Sequence, residues 1–161
     1  MATNARRDPP FTRIAYQNMG NDKIIVSRLQ REMETWMRSK KSVNDLIGRV
    51  QKVTGMSYDQ ARRVAQTERT RVQGEARYDA LKGENKQRRA NKQHAARKEW
   101  VARGDGKTRD THAALSGTVE YVDRYFVSPS GARLLYPGDP SAPAAEIINC
   151  RCYMRRVEVK R

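Results

Sequence analysis

Cysteine, histidine and aromatic residues are all scarce in this chain, and each scarcity removes a class of protein. Its only two cysteines, Cys150 and Cys152, are one residue apart. A bridge between them would close a small strained ring, and two thiols are too few for a disulfide framework, so they are expected to stay reduced. Aromatics make up 7% of the residues, with two Trp and two Phe, which argues against a single-strand binder built on a run of stacked bases. No stretch approaches the roughly 18 apolar residues of a membrane span, and Met1 to Pro10 lacks the apolar core of a signal peptide. The expectation is a protein without membrane association, made and kept in a cytosol. Acidic residues are also outnumbered, 18 against 33 Lys and Arg, for a net charge of +15 and a pI near 10.3. Such an excess implies an anionic environment, most commonly phosphate.

At 161 residues, 37% hydrophobic and 32% charged, the chain suits one small domain with helical appendages, part of it outside any core. Residues 1–22 mix Arg6, Arg7, Pro9, Pro10 and Gly20 without a period and read as a basic extended arm. From Lys23 to Arg38, Ile25, Leu29, Met33 and Trp36 recur at helical spacing. Ser42 opens a second, short helix carrying Val43, Leu46, Ile47, Val50 and Val53, which Gly55 stops. Ser57 begins another capping pattern, and Ala61, Val64, Ala65, Val72, Ala76 and Ala80 predict a long helix to about Leu81. Lys82 to Arg103 carries eight cations against Glu84 and Glu99. It reads as a solvated basic helix or linker, as a contact for an acidic protein surface, or as a phosphate-contacting segment through Arg88, Arg89, Lys92, Arg97 and Lys98.

Beyond that segment the texture becomes short and mixed. Lys98 to Ala102 predicts a strand, and Thr108 an N-cap for a short helix through Leu115. Thr118 to Val122, Tyr125 to Val127 and Ala132 to Leu135 predict strands, the last two joined by a Ser128 to Gly131 turn, and Arg151 to Val159 a final strand. The fold class is therefore α+β. A helical stem with the basic segment, residues 23–97, precedes a small C-terminal module of mixed helix and antiparallel strands, residues 98–161.

On a strand, Cys150 and Cys152 would face the same side. With His112 they compose a Zn²⁺ donor set of thiolates and imidazole, with Asp110, Asp123, Asp139 or His94 as a fourth ligand. Two other readings stand beside it: buried cysteines packing in the core, and a catalytic thiol or metal. No clear catalytic set is named by the sequence, so no catalytic residue is assigned. Tyr136-Pro137-Gly138-Asp139-Pro140 reads as a rigid turn able to present Asp139 toward His112 or the cysteines. Trp36 and Trp100 read as packing anchors.

The motifs fall in a recognisable order: Ala65-Gln66-Thr67-Glu68-Arg69-Thr70; Lys98-Glu99-Trp100; Lys107-Thr108-Arg109-Asp110-Thr111-His112 before Leu115-Ser116-Gly117; Asp123 and Phe126; Tyr136 to Pro140; and Ala145-Glu146 before Asn149-Cys150-Arg151-Cys152. In this order and spacing, over roughly Lys41 to Met154, the chain resembles the phage Mu F-like minor head proteins, or phage head morphogenesis proteins. Ser116 departs from the pattern, which often has an acidic residue there, and the stretch from Glu84 to Arg97 is an expansion. The resemblance implies a non-enzymatic minor capsid protein of a tailed phage, present in a few copies in the virion, assembled in the bacterial host cytoplasm and acting in head assembly, DNA packaging or early ejection. Its implied partners are the portal protein, the major capsid protein and packaged double-stranded DNA. Two alternatives from other classes are a nonspecific DNA-binding protein ejected with the genome and a metal-dependent nuclease or hydrolase.

Overall fold

The computed structural model describes residues 23–158, and the arm expected over residues 1–22 lies outside them. Two compact units divide the chain, Met1–Glu68 and Arg69–Arg161. In the first, helices α1 (Lys23–Ser39) and α2 (Val43–Thr54) pack as a hairpin. Leu29, Met33 and Trp36 from α1 and Leu46, Ile47 and Val50 from α2 are buried at positions that helical periodicity marks, while Val26, and not the expected Ile25, takes the remaining buried place on α1. Ser42 caps α2 by accepting from the Asp45 amide. Gly55 ends the helix in the left-handed conformation, φ 69°, with its N–H on the Gln51 carbonyl. Trp36 Nε1 donates to the Ser42 carbonyl at 2.8 Å, so the indole both fills the core and satisfies the turn.

Helix α3 (Tyr58–Ala90) starts with a reciprocal capping box: the Ser57 amide donates to Gln60 Oε1 at 3.2 Å, and the Gln60 amide to Ser57 Oγ at 3.4 Å. It continues nine residues past the stop that apolar spacing predicts at Leu81. Apart from Gly83 and Asn85, strong helix formers fill the extension. Its inward face runs through Gly74, Tyr78, Leu81 and Asn85, spaced four, three and four apart, and a glycine and an asparagine are invisible to a hydrophobic count. Asn85 fills its place by clamping Ala96, donating Nδ2 to its carbonyl and accepting its amide on Oδ1, both at 2.9 Å. The division between the two units falls inside α3, between Glu68 and Arg69.

In the second unit, β1 (Arg97–Val101) lies between β2 (Val119–Glu120) and β5 (Tyr153–Val157) in an antiparallel sheet. Strands β3 (Phe126–Val127) and β4 (Arg133–Leu134) form the hairpin predicted around Ser128 to Gly131. Short helices α4 (Asp110–Leu115) and α5 (Ala144–Ile147) complete the α+β fold. Arg109, not Thr108, occupies the N-cap of α4 and makes no side-chain cap bond. Its guanidinium instead reaches the carbonyls of Ala145 and Ile148 and ties α4 to α5. The cysteines precede the final strand rather than lie on it. Asn149, with φ 56°, turns the chain through the left-handed region into Cys150.

Trp100, Leu115, Phe126, Leu134, Ile147, Cys150 and Cys152 share one core cluster. A second gathers Leu81, Ala96, Val122, Tyr136 and Met154. The Tyr136 to Pro140 turn lies against α3: a Cβ on Gly74 would stand 2.3 Å from the Pro137 carbonyl oxygen, and one on Gly138, φ 83°, 2.8 Å from the Arg71 backbone. By contrast, Gly83 in the same helix has open space around it. Gly138→Ala is expected to destabilise the protein by roughly 2–4 kcal/mol, and Gly83→Ala to stabilise it by up to about 1 kcal/mol. Denaturant midpoints check both, and equal effects at the two positions would refute this account of the α3 contact.

Candidate metal centre

Beside Trp100, three donor atoms meet in the core. Both Cys150 Sγ and Cys152 Sγ lie 3.5 Å from His112 Nδ1. All three residues are buried, at 3%, 6% and 1% exposure, and their ligand atoms fall within 4.8 Å of one another. Each comes to the point for a local reason. His112 projects from the one-and-a-half-turn helix α4. Cys150 is held by its backbone, whose carbonyl accepts from Thr70 Oγ1 on α3. Cys152 enters just before β5, whose residue Met154 pairs with Trp100.

Glu146 defines the imidazole. Its Oε2 stands 2.8 Å from His112 Nε2, an ion-pair distance outside hydrogen-bond geometry, while Nδ1 faces both sulfurs. Burial by itself would raise the Glu146 carboxyl, but the hydrogen bond from Ser130, the charge of His112 and the hydrogen bonds from Thr111 and His112 outweigh it and lower it below its ordinary range. Ser130 Oγ is 2.6 Å from Oε1 and Thr111 Oγ1 is 3.2 Å from Oε2, so both carboxylate oxygens are engaged. The thiols are differentiated too. Cys150 is raised by its bond to Cys152 and by burial, while Cys152 falls to about 5 because Cys150, His112 and the Trp100 indole all stabilise its anion. The Trp100 N–H is buried without a nitrogen or oxygen acceptor, and its electrostatic partner is the Cys152 sulfur. Ring contacts at 5.0 Å to His112 and 5.3 Å to Phe126, both nearly perpendicular, fix the indole.

This donor set fits a zinc ion. With Zn–S near 2.3 Å and Zn–N near 2.0 Å, tetrahedral ligands stand about 3.6 Å apart, close to the 3.5 Å between each sulfur and Nδ1. A carboxylate behind a ligating imidazole is the usual outer support. None of the expected fourth ligands joins the cluster. Asp139 accepts from the Leu135 and Ser141 amides and from Ser141 Oγ, so it closes its own turn instead of reaching His112. Asp110 and Asp123 are exposed, as is His94, whose carbonyl accepts from Arg88. Sequence spacing carried no sign of Glu146 as a partner of His112. The available signal was its isolation as the only acidic residue between Asp139 and Glu158.

The five residues expected to contact phosphate divide in the fold. Arg89 and Lys92 are exposed. Arg88 is engaged with Glu84 at 2.7 Å and Glu158 at 2.6 Å, and Arg97 lies 4.1 Å over the Tyr121 ring while donating to its hydroxyl. Lys98 corrects the expectation outright: it is fully buried, with Nζ 2.6 Å from the Leu135 carbonyl and 4.8 Å from the Phe126 ring centroid, and so does not face a phosphate. The inward alternation of β1 points it there. Among the described residues no helix is long and apolar enough to cross a membrane.

Fold and cluster define a class: a small α+β unit closed where a Cys-x-Cys loop meets a carboxylate-oriented histidine. Within it, the chain belongs to the Phage Mu protein F like family, whose family model matches residues 28–155. This is a family of phage head morphogenesis proteins. The match begins at residue 28 rather than at Lys41 and so takes in most of α1. Comparisons with curated proteins and with solved structures give no match.

Burial lowers the Lys98 ammonium from 10.5 to about 8. Between these values the unfolded chain binds the extra proton, so this group's contribution to stability rises with pH from about 8 to 10, by at most about 3 kcal/mol. Tyr136, whose buried phenol is raised, opposes the rise above pH 10. Unfolding free energies measured across pH 8 to 10 are expected to climb by more in the parent than in Lys98→Met, whose remaining dependence comes from the shifted Cys150 and Cys152 thiols. A parallel climb in the variant would refute the assignment.

Proposed function

We propose that this protein is a minor component of a tailed-phage head, placed at the portal vertex or the inner capsid surface, with its basic surface toward packaged double-stranded DNA. The observation that carries this reading is family membership over residues 28–155. The net charge of +15 supports the DNA-facing part, since phosphate neutralisation supplies affinity without sequence choice. On this reading the portal or major capsid protein is the partner, and a few copies serve each head.

The role is structural, and His112, Cys150 and Cys152 hold a structural Zn²⁺ with Glu146 behind the imidazole. Bound zinc would cross-link α4 to the loop before β5 and contribute directly to folding. Hydrolysis is the weaker reading for a specific reason. A general base needs a free lone pair near the reacting water, and Glu146, the carboxylate beside the cluster, has both oxygens occupied by His112, Thr111 and Ser130.

Three measurements test the proposal. Metal analysis of the purified protein is expected to find about one zinc per chain, with Cys150→Ser and Cys152→Ser losing it and Glu146→Gln weakening affinity roughly 10–100-fold. Metal-free protein whose melting ignores both added zinc and chelator would remove the metal. Duplex DNA binding is expected to weaken linearly in log K against log salt, and a flat dependence would remove the DNA contact. In an intact head, density for this chain beside portal or inner capsid subunits is expected, and an external position would overturn the assignment.

A further inference from the structure

A cavity of about 410 Å³ lies in the second unit, between the later turns of α3 and the segment around β2, away from the His112 cluster. One wall is cationic. Lys82, Lys86 and Arg89 line it at spacings of four and three, on one stripe of α3. All three are exposed, and Lys86 and Arg89 make no ion pair among the described residues. Elsewhere in the same unit Arg88, Arg155 and Arg156 are each held by Glu84, Glu99 or Glu158. Tyr78, Ala95, Tyr121 and Val122 supply an apolar and aromatic lining, with Asp123 as its one carboxylate.

The lining selects its ligand. A cationic stripe alone would suit any phosphate backbone, and duplex DNA, being convex, would leave the apolar floor unfilled. Filling both requires a flat apolar body joined to an anionic group, within the size range of ordinary ligand sites. Tyr121 is preset for such a body: its side chain is 48% exposed, and Arg97, outside the cavity lining, stacks 4.1 Å from the ring and binds its hydroxyl. A guanidinium fastened to the ring holds it in place, so little side-chain freedom remains to be lost on stacking. The low aromatic content excludes a long stacking platform but not a one-base pocket, which needs a single ring.

We propose that this cavity takes one unpaired nucleotide of a nucleic-acid strand, its base against Tyr121 and Val122 and its phosphate on Lys82, Lys86 and Arg89. This deepens the DNA-facing reading above and rests on it. In the packaged genome such nucleotides occur at strand ends and at locally melted sites.

The test measures fluorescence anisotropy of the full chain with a short single-stranded oligothymidylate and with a duplex of equal length, over a salt series. The triple variant K82Q/K86Q/R89Q is compared with R103Q/K107Q/R133Q, which removes the same charge from exposed positions outside the cavity. The cavity triple is expected to weaken single-strand binding about tenfold more than the control triple and to lower its salt slope by about 2. Y121A is expected to weaken single-strand binding by about tenfold, with duplex binding unchanged and Y121F restoring affinity. Equal losses in both triples, or a Y121A variant that binds single strands like the parent, would overturn the pocket while leaving the DNA-facing reading intact. Failure of the parent to bind either form would overturn both.

Discussion

The second unit is organised around one imidazole with no access to water. His112 is 1% exposed, and each of its ring nitrogens therefore needs a partner of the opposite hydrogen-bonding sense inside the protein. Glu146 lies 2.8 Å from Nε2, and the two thiols face Nδ1. Those requirements reach outward. Glu146 is steadied by Ser130 from the β3–β4 turn and Thr111 from α4, Cys150 hangs from Thr70 of α3, and Trp100 of β1 closes the cluster from the side. A helix, a hairpin, a sheet and a loop are thereby held in register by one buried polar network, where any member left unpaired would be costly.

Close backbone approach is the second constraint on the same unit. The Tyr136 to Pro140 turn reaches α3 only where Gly74 and Gly138 omit a side chain. Asp139 makes that turn rigid by accepting from Leu135 and Ser141, and the Leu135 carbonyl in turn receives Lys98. The buried ammonium thus belongs to the turn's hydrogen bonding and not to the basic surface. Burial lowers the Lys98 ammonium, and the charges of Glu120, Asp139 and Asp123 oppose that shift.

The positive charge, densest in the sequence from Lys82 to Arg103, divides in space between paired and unpaired groups. Glu84, Glu99 and Glu158 hold Arg88, Arg155 and Arg156 near β5. These exposed pairs add little stability individually, yet they occupy cations that would otherwise bind anions. Among the described residues Lys82, Lys86 and Arg89 on the cationic wall of the cavity make no ion pair, although Asp123 lines the same cavity.

Helices α1 and α2 were legible residue by residue, because buried Leu29, Met33, Trp36, Leu46 and Val50 follow helical periodicity and Ser42 and Gly55 carry cap chemistry in their own side chains or lack of one. The family order of motifs was legible as well, as was the meeting of His112 with Cys150 and Cys152, though as one alternative among three. The end of α3 was not, since Gly74 and Asn85 bury themselves by fit and hydrogen bonding rather than by hydrophobicity. Nor were the inward turn of Lys98, the self-contained role of Asp139, or the placement of Glu146 behind His112. The sequence by itself determined which segments are helical, which residues carry donor atoms and how much positive charge must be accommodated, because those depend on local spacing and composition. Only the tertiary structure decided which donor orients which ring and which cations remain free, because such pairings depend on distances between residues tens of positions apart in the chain.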